Sequence, residues 1–221
     1  MARILFTSRS GGFGSPPYLS FNLGQQVADD PKVVAKNRHS LLSEFSVDSI
    51  FYMDQVHGID IFEVTSETKA TPIADAIFTR EKNVALAVQV ADCIPLLLAS
   101  SSMVAAVHVG RKGLAGGIIE KVIELFHEAA DIPVKADIGP AICGNCYEVD
   151  LETYESVTAL VPETATSSQR HHLDLINGAK NILNRNGVAV RDWGICTKEN
   201  QNYFSYRRDG VTGRQAGVIA L

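Results

Sequence analysis

Two apolar, β-branched runs flank three serines in Ala91-Asp92-Cys93-Ile94-Pro95-Leu96-Leu97-Leu98-Ala99-Ser100-Ser101-Ser102-Met103-Val104-Ala105-Ala106-Val107-His108-Val109-Gly110, and no other stretch constrains the fold as strongly. Short apolar runs bounded by a turn-forming cluster read as paired strands, here 94–98 and 103–109, folded back on one another. Further strands are expected at 49–56, 59–64, 84–90, 134–138, 193–196 and 214–220, with a short first strand at the amino end. Helical spacing is clear over 30–45, where Asp29 or Asp30 is the N-cap, Pro31 lies in the first turn, and Val33, Val34, Asn37, Leu41 and Phe45 recur on one face. Two more helices are expected at 114–130 and 173–185, the last closed by Asn186-Gly187. Several strands follow one another directly instead of alternating with helices. The pattern therefore predicts an α+β fold of mixed sheets rather than a doubly wound parallel sheet.

With 221 residues, 46% hydrophobic and 20% charged, the chain reads as a single domain over 1–221, without internal repeat or linker. A chain of this length buries roughly 70–75% of its unfolded surface and needs no staples. Twenty Lys and Arg against 25 Asp and Glu leave a net charge of −5, which argues against nucleic acid or an anionic membrane as partner. The apolar stretch 83–109 is broken by Asp92, Pro95, three serines and His108, so it reads as no membrane span. The first residues lack a charged-then-apolar leader pattern, and a cytoplasmic protein is expected. Four cysteines are then ligands, a nucleophile or core thiols rather than a disulfide scaffold.

If the hairpin turns about Ser100-Ser101, Cys93 stands opposite His108 on one face, with Cβ atoms about 4.5–5.5 Å apart. A Cys opposite a His is a buried thiol beside a hydrogen-bonded ring, two ligands of a metal, or a thiolate and base pair. The candidate third ligand is His57 in Gln55-Val56-His57-Gly58, at a strand end where the glycine allows a close turn. After His108 comes Gly110-Arg111-Lys112-Gly113-Leu114-Ala115-Gly116-Gly117, read either as a glycine-rich helix start that cradles an anion or as a solvated turn. The spacing is not that of a Walker loop. Asp75, an acid inside an apolar stretch, is a functional candidate or a cap. Cys143-Gly-Asn-Cys146 reads as structural, because a zinc knuckle needs a second ligand pair at similar spacing. Arg207-Arg208 and Arg214 read as a surface cluster.

Taken in order, these landmarks resemble the laccase-domain purine nucleoside phosphorylases, long labelled multicopper polyphenol oxidases. They include Ser10-Gly11-Gly12, Asn22-Leu23-Gly24, Asp30-Pro31 through Asn37-Arg38, Gln55-Val56-His57-Gly58, Ala74-Asp75-Ala76, Ala91-Asp92-Cys93-Ile94-Pro95 and His108-Val109-Gly110. The resemblance continues through Gly139-Pro140-Ala141-Ile142, Cys146-Tyr147-Glu148-Val149, and Phe204-Ser205-Tyr206-Arg207-Arg208 to Gly217. It implies αββα-like layers with helices outside and a zinc ion, or copper, held by His57, Cys93 and His108. It also implies phosphorolysis of purine nucleosides such as adenosine and inosine, with adenosine deamination as a side activity. On that reading Cys93, Asp92 and His108 are catalytic, with Asp92 an acid at the purine ring. Arg38, Arg111, Lys112 and Asp75 are then expected to bind nucleoside and phosphate. The chain departs from the family where His-Ala-Gly-Trp-Arg-Gly is usual, having His108-Val109-Gly110-Arg111-Lys112-Gly113, and lysine lacks the two-pronged fork of arginine. The rival readings are a Cys93–His108 amide hydrolase, a copper-dependent phenol oxidase, and a zinc-binding protein without turnover.

Overall fold

In the computed structural model, which describes residues 2–166 and 171–221, α1 (Pro31–Phe45) forms as its spacing predicts. Asp30 caps it by accepting from the Lys32 N–H at 2.9 Å, and Val34, Asn37, Leu41 and Phe45 are buried. Ten described strands follow in two sheets. They are β1 (Arg3–Phe6), β2 (Ser49–Phe51), β3 (Ile61–Glu63), β4 (Ala76–Thr79), β5 (Val84–Val90), β6 (Ile94–Ala99), β7 (Val104–Val109), β8 (Lys135–Ile138), β9 (Ala189–Asp192) and β10 (Gln215–Ala220). The first sheet has the order β1-β10-β5-β2 and the second β3-β4-β7-β6-β8-β9, each with parallel and antiparallel pairs. The predicted first strand is β1, and Met1 lies outside the described residues.

Alternating side chains of β5 explain the layering. Val84, Leu86, Val88 and Val90 pack with Ile77, Leu97, Val104 and Ala106 of the second sheet, so the two sheets share one apolar interior. Ala85 and Ala87 point the other way, and with Ala216 and Val218 they meet Leu41 and Phe45 of α1. The second sheet's outer face is covered by α2 (Arg111–Ala115), α3 (Ile118–Glu128), α4 (Leu151–Leu160) and α5 (Leu175–Arg185), which contribute Leu114, Ile119, Phe126, Val157 and Ile182. The order helix, sheet, sheet, helices is the expected αββα arrangement in an α+β chain. A last short helix is α6 (Tyr206–Asp209). Among the described residues no helix is long and apolar enough to cross a membrane.

Several boundaries differ from the sequence reading, each for a local reason. The helix expected over 114–130 is two helices, because Gly117 adopts φ +83° and breaks the path after α2, which already begins at Arg111. The strand expected at 193–196 lies instead at Ala189–Asp192, paired in parallel with β8 and ended before Gly194 at φ 65°. The strands over 49–56 and 59–64 shrink to Ser49–Phe51 and Ile61–Glu63. Between them the backbone N–H groups turn to the Asp75 carboxylate instead of a sheet partner. Helix α4 was hidden from the pattern because Val157 is its one buried residue.

The β6–β7 hairpin closes one residue later than expected. Pro95, not Cys93, stands opposite His108, and the Ser100 N–H donates to the Met103 carbonyl at 2.9 Å. Asp131 explains the shift, since its carboxylate accepts from the hydroxyls of Ser100, Ser101 and Ser102 and so centres the turn on Ser101-Ser102. A two-residue change in pairing keeps each side chain on its face. Cys93 therefore lies just outside β6, diagonal to His108 and still on its side.

Candidate active site

The chain passes from the first sheet to the second between β5 and β6, and the site forms at that crossing. Asp92 takes φ 96° there, a conformation non-glycine residues adopt only when their surroundings enforce it. Two hydrogen bonds do so: Thr197 Oγ1 donates to Oδ1 at 2.6 Å and the Arg207 N–H donates to Oδ2 at 2.7 Å. The next residue, Cys93, is thereby aimed at the end of β7, where His108 is buried.

Asp75 organises the two histidines. It is fully buried, and its carboxylate accepts from the Val56, His57 and Gly58 N–H groups at 3.1, 3.0 and 2.6 Å. The His57 backbone sits at φ 60° to make this possible. The same carboxylate bonds His108 Nδ1 at 2.7 Å, leaving Nε2 as that ring's remaining nitrogen. The His57 and His108 rings stand edge to face, centroids 4.7 Å apart. Ligand atoms of His57, Cys93 and His108 all lie within 4.8 Å of one another.

These residues fit a metal ion by two separate observations. Two imidazoles and a thiol suit zinc, and a carboxylate that holds the far nitrogen of a ligating histidine is the usual support behind such a ligand. Gly110 leaves space beside all three: a Cβ there would lie 3.1 Å from His57 Cδ2, 3.3 Å from Cys93 Sγ and 3.7 Å from His108 Cε1. Charge agrees with this. Burial alone would raise the Cys93 thiol, but the His108 charge and the hydrogen bonds from His108 and His57 hold it down to about 6. His108 moves oppositely, to about 9, where burial is outweighed by the Cys93 charge and the Asp75 hydrogen bond. Asp75 stays low although burial opposes it, because His108 and the Gly58 and Val56 N–H groups bond its anion. The contrast is Cys146, whose thiol burial and the sulfurs of Cys143 and Cys196 push up to about 12.

His57, Cys93 and His108 floor a cavity of about 450 Å³, within the range of small-molecule sites. Asp92, Tyr147, Tyr206, Arg207 and Arg214 line its walls. Gln55 and Gln89 close one side, the Gln55 amide pairing with the Gln89 backbone at 2.8 and 2.9 Å. Burial lowers the Arg214 guanidinium, while nearby Cys93 and Asp92 act to raise it, so its charge stands beside the floor.

Other residues marked in the sequence are placed differently. Asp75 lies beneath the floor and does not line the cavity. Arg38 stands behind Gln89, bonded to the Leu23 carbonyl at 2.9 Å and stacked 3.7 Å over Tyr52. Arg111 lines an adjoining hollow with Tyr147 and Arg207 and donates to Thr153 Oγ1 at 2.8 Å. Lys112 is exposed on α2 and lines neither hollow. The glycine-rich segment is the body of α2 rather than an open loop at the site. Arg207 and Arg214, read as surface, are the cations that face the cavity; their place among the landmark strings from Phe204 to Gly217 was the available signal.

The family model described as multi-copper polyphenol oxidoreductase laccase matches residues 3–221. A Streptomyces coelicolor protein named purine nucleoside phosphorylase is 40% identical over all of this chain and 96% of its own length. The Escherichia coli protein named purine nucleoside phosphorylase YfiH is 36% identical over 97% of this chain and 92% of its own. A Neisseria meningitidis crystal structure superposes with a TM-score of 0.91 at 34% identity, covering 100% of this chain and 94% of that one.

Proposed function

The chain belongs to the multi-copper polyphenol oxidoreductase laccase family, and from that membership and the site's geometry we propose that it is a purine nucleoside phosphorylase with a zinc ion held by His57, Cys93 and His108. One observation supports this most: two arginines face the same cavity as the three metal-ligand side chains, in a chain 40% identical end to end to a protein named for that activity. When bound, zinc would supply a Lewis acid and one open position for a substrate oxygen. Among the described residues only two of the six histidines join a group of potential ligands, which favours a single-ion site over a multicopper centre.

The chain's own residues supply the rest. Arg207 and Arg214 hold phosphate, Arg214 close to the floor and Arg207 fixed by its N–H bond to Asp92 and its Nη1 bond to the Glu148 carbonyl at 2.6 Å. Tyr147 and Tyr206 offer flat faces to the purine. A phosphate oxygen attacks the anomeric carbon as the bond to the purine nitrogen breaks, and the departing base takes up a proton at nitrogen. In this reading Asp92, a carboxyl that lines the cavity wall, handles that proton. Adenosine deamination is a secondary activity of the same cavity in this reading.

The test is a panel of adenosine and inosine with and without phosphate, products separated by chromatography, on the parent and on His57→Ala and His108→Ala. Free base that appears only with phosphate, and is lost with the ligand variants, supports the proposal. No turnover of any nucleoside overturns it. The Cys93 thiol held down to about 6 beside His108 gives a second reading, a nucleophilic dyad acting on amides. Amide cleavage blocked by alkylation yet undiminished by a chelator would favour that alternative.

A further inference from the structure

Cys143-Gly-Asn-Cys146 lacks a second cysteine pair in the sequence, yet the fold brings it a second pair of potential ligands, Cys196 and Glu199. The turn after β8 and the turn before α6 lie side by side. Ala141 and Cys196 form a parallel bridge, the Ala141 N–H donates to the Ile195 carbonyl at 3.1 Å, and the Thr197 N–H returns to the Ala141 carbonyl at 3.0 Å. On one side the Cys146 N–H closes a turn on the Cys143 carbonyl at 3.0 Å; on the other the Asn200 N–H closes one on the Cys196 carbonyl at 3.0 Å. The first turn encloses two residues and the second three, and within the second Cys196-Thr197-Lys198-Glu199 repeats the Cys-x-x spacing of the first with a carboxylate as its fourth member.

The side chains converge as the turns do. The Cys143 N–H points at Cys196 Sγ at 3.4 Å, and Cys146 Sγ lies 3.5 Å from Glu199 Oε1. Ligand atoms of Cys143, Cys146, Cys196 and Glu199 all lie within 4.8 Å of one another, and the four cysteines of the chain are free thiols. Zinc–sulfur bonds of about 2.3 Å at tetrahedral angles need sulfurs roughly 3.8 Å apart, so only a slight contraction separates this cluster from a coordination sphere.

We propose that Cys143, Cys146, Cys196 and Glu199 form a second, structural metal site that takes a divalent thiophilic cation of the zinc class. Binding exchanges the thiol protons for the cation. Four protein ligands close the sphere, unlike the three at His57, Cys93 and His108, and so give the site a holding role. What it holds is the cavity wall. Tyr147 follows one turn; the other carries Thr197, which bonds Asp92, and the carbonyls of Thr197 and Asn200, which receive Arg208 Nη1 from α6 at 2.7 and 3.4 Å. Removing the cation frees the support of Tyr147, Arg207 and Asp92 without touching substrate.

Metal content by elemental analysis, on protein purified in reductant and dialysed against metal-free buffer, separates the two sites. The variant His57→Ala/Cys93→Ala/His108→Ala is expected to keep about one zinc per chain, and adding Cys146→Ser and Glu199→Gln to remove it. Cobalt soaked into the triple variant should give the intense sulfur-to-metal absorption of a thiolate site, absent after Cys146→Ser. The Cys146→Ser/Glu199→Gln pair alone should lower the melting temperature, and a larger fall in the zinc-loaded than in the chelated protein marks metal loss rather than general damage. A triple variant with no zinc and no cobalt spectrum overturns the site, as does a Cys143–Cys146 or Cys143–Cys196 disulfide found in reductant-purified protein. Neither result bears on phosphorolysis, which is read separately.

Discussion

A carboxylate with no contact to water must be satisfied where it stands, and Asp75 accepts three backbone N–H groups and one imidazole. It thereby fixes both histidines of the site without touching the cavity. Asp75→Asn should keep the fold but weaken metal binding by about 10–100-fold in a chelator competition, the usual cost of losing a carboxylate behind a ligating histidine. Unchanged affinity would show that the ligands are set by something else. The charges at the floor give a pH expectation for the metal-stripped protein. With its pKa near 6, Cys93 is mostly thiolate at neutral pH, so its alkylation rate should climb as pH rises through about 6. Cys146, pushed up to about 12, should stay unlabelled in the same experiment. For phosphate, Arg214→Ala should raise KM by about 10–100-fold, or ~1.5–3 kcal/mol for a charge-assisted contact, whereas Lys112→Ala leaves it unchanged.

At the scale of elements, the Ser100–Met103 turn and its Asp131 anchor set the pairing that places His108 beside Cys93. Asp131→Ala removes the common acceptor of three serines and should destabilise the protein by ~2–4 kcal/mol in urea unfolding. What the sequence discloses about elements follows where burial is one-sided. Helix α1 is legible because Val34, Asn37, Leu41 and Phe45 form one buried stripe and Asp30 caps it, while α4, with Val157 alone buried, leaves almost no periodic signal. Serine patterning announces the hairpin but not its centre, since the deciding contact comes from Asp131, 28 residues beyond Met103. The site divides along the same line. His57, Cys93 and His108 stand out in the sequence as reactive residues at expected strand ends, whereas Arg207 and Arg214 look like an ordinary basic cluster until α6 and the start of β10 bring them to the cavity wall. Cys143-x-x-Cys146 likewise looks incomplete until a parallel bridge 50 residues on supplies Cys196 and Glu199.

The whole molecule is four layers whose middle interface, between Val88, Leu86 and Ile219 on one side and Leu97, Val104 and Ile77 on the other, carries the crossing at Ala91, Asp92 and Cys93. Leu97 is fully buried in that interface, and Leu97→Ala should cost ~2–5 kcal/mol of stability by the cavity it leaves. Such a loss, measured by calorimetry, should come with little change in KM, because the site residues hang on hydrogen bonds at the rim of the sandwich. On the proposed function, this rim cleaves a nucleoside with phosphate as the nucleophile. Phosphorus NMR of the zinc-loaded protein with inosine and inorganic phosphate tests it directly. Loss of the phosphate signal matched one for one by a sugar 1-phosphate signal and by free hypoxanthine is the predicted result, whereas base release with the phosphate signal unchanged, or no base release, would contradict it.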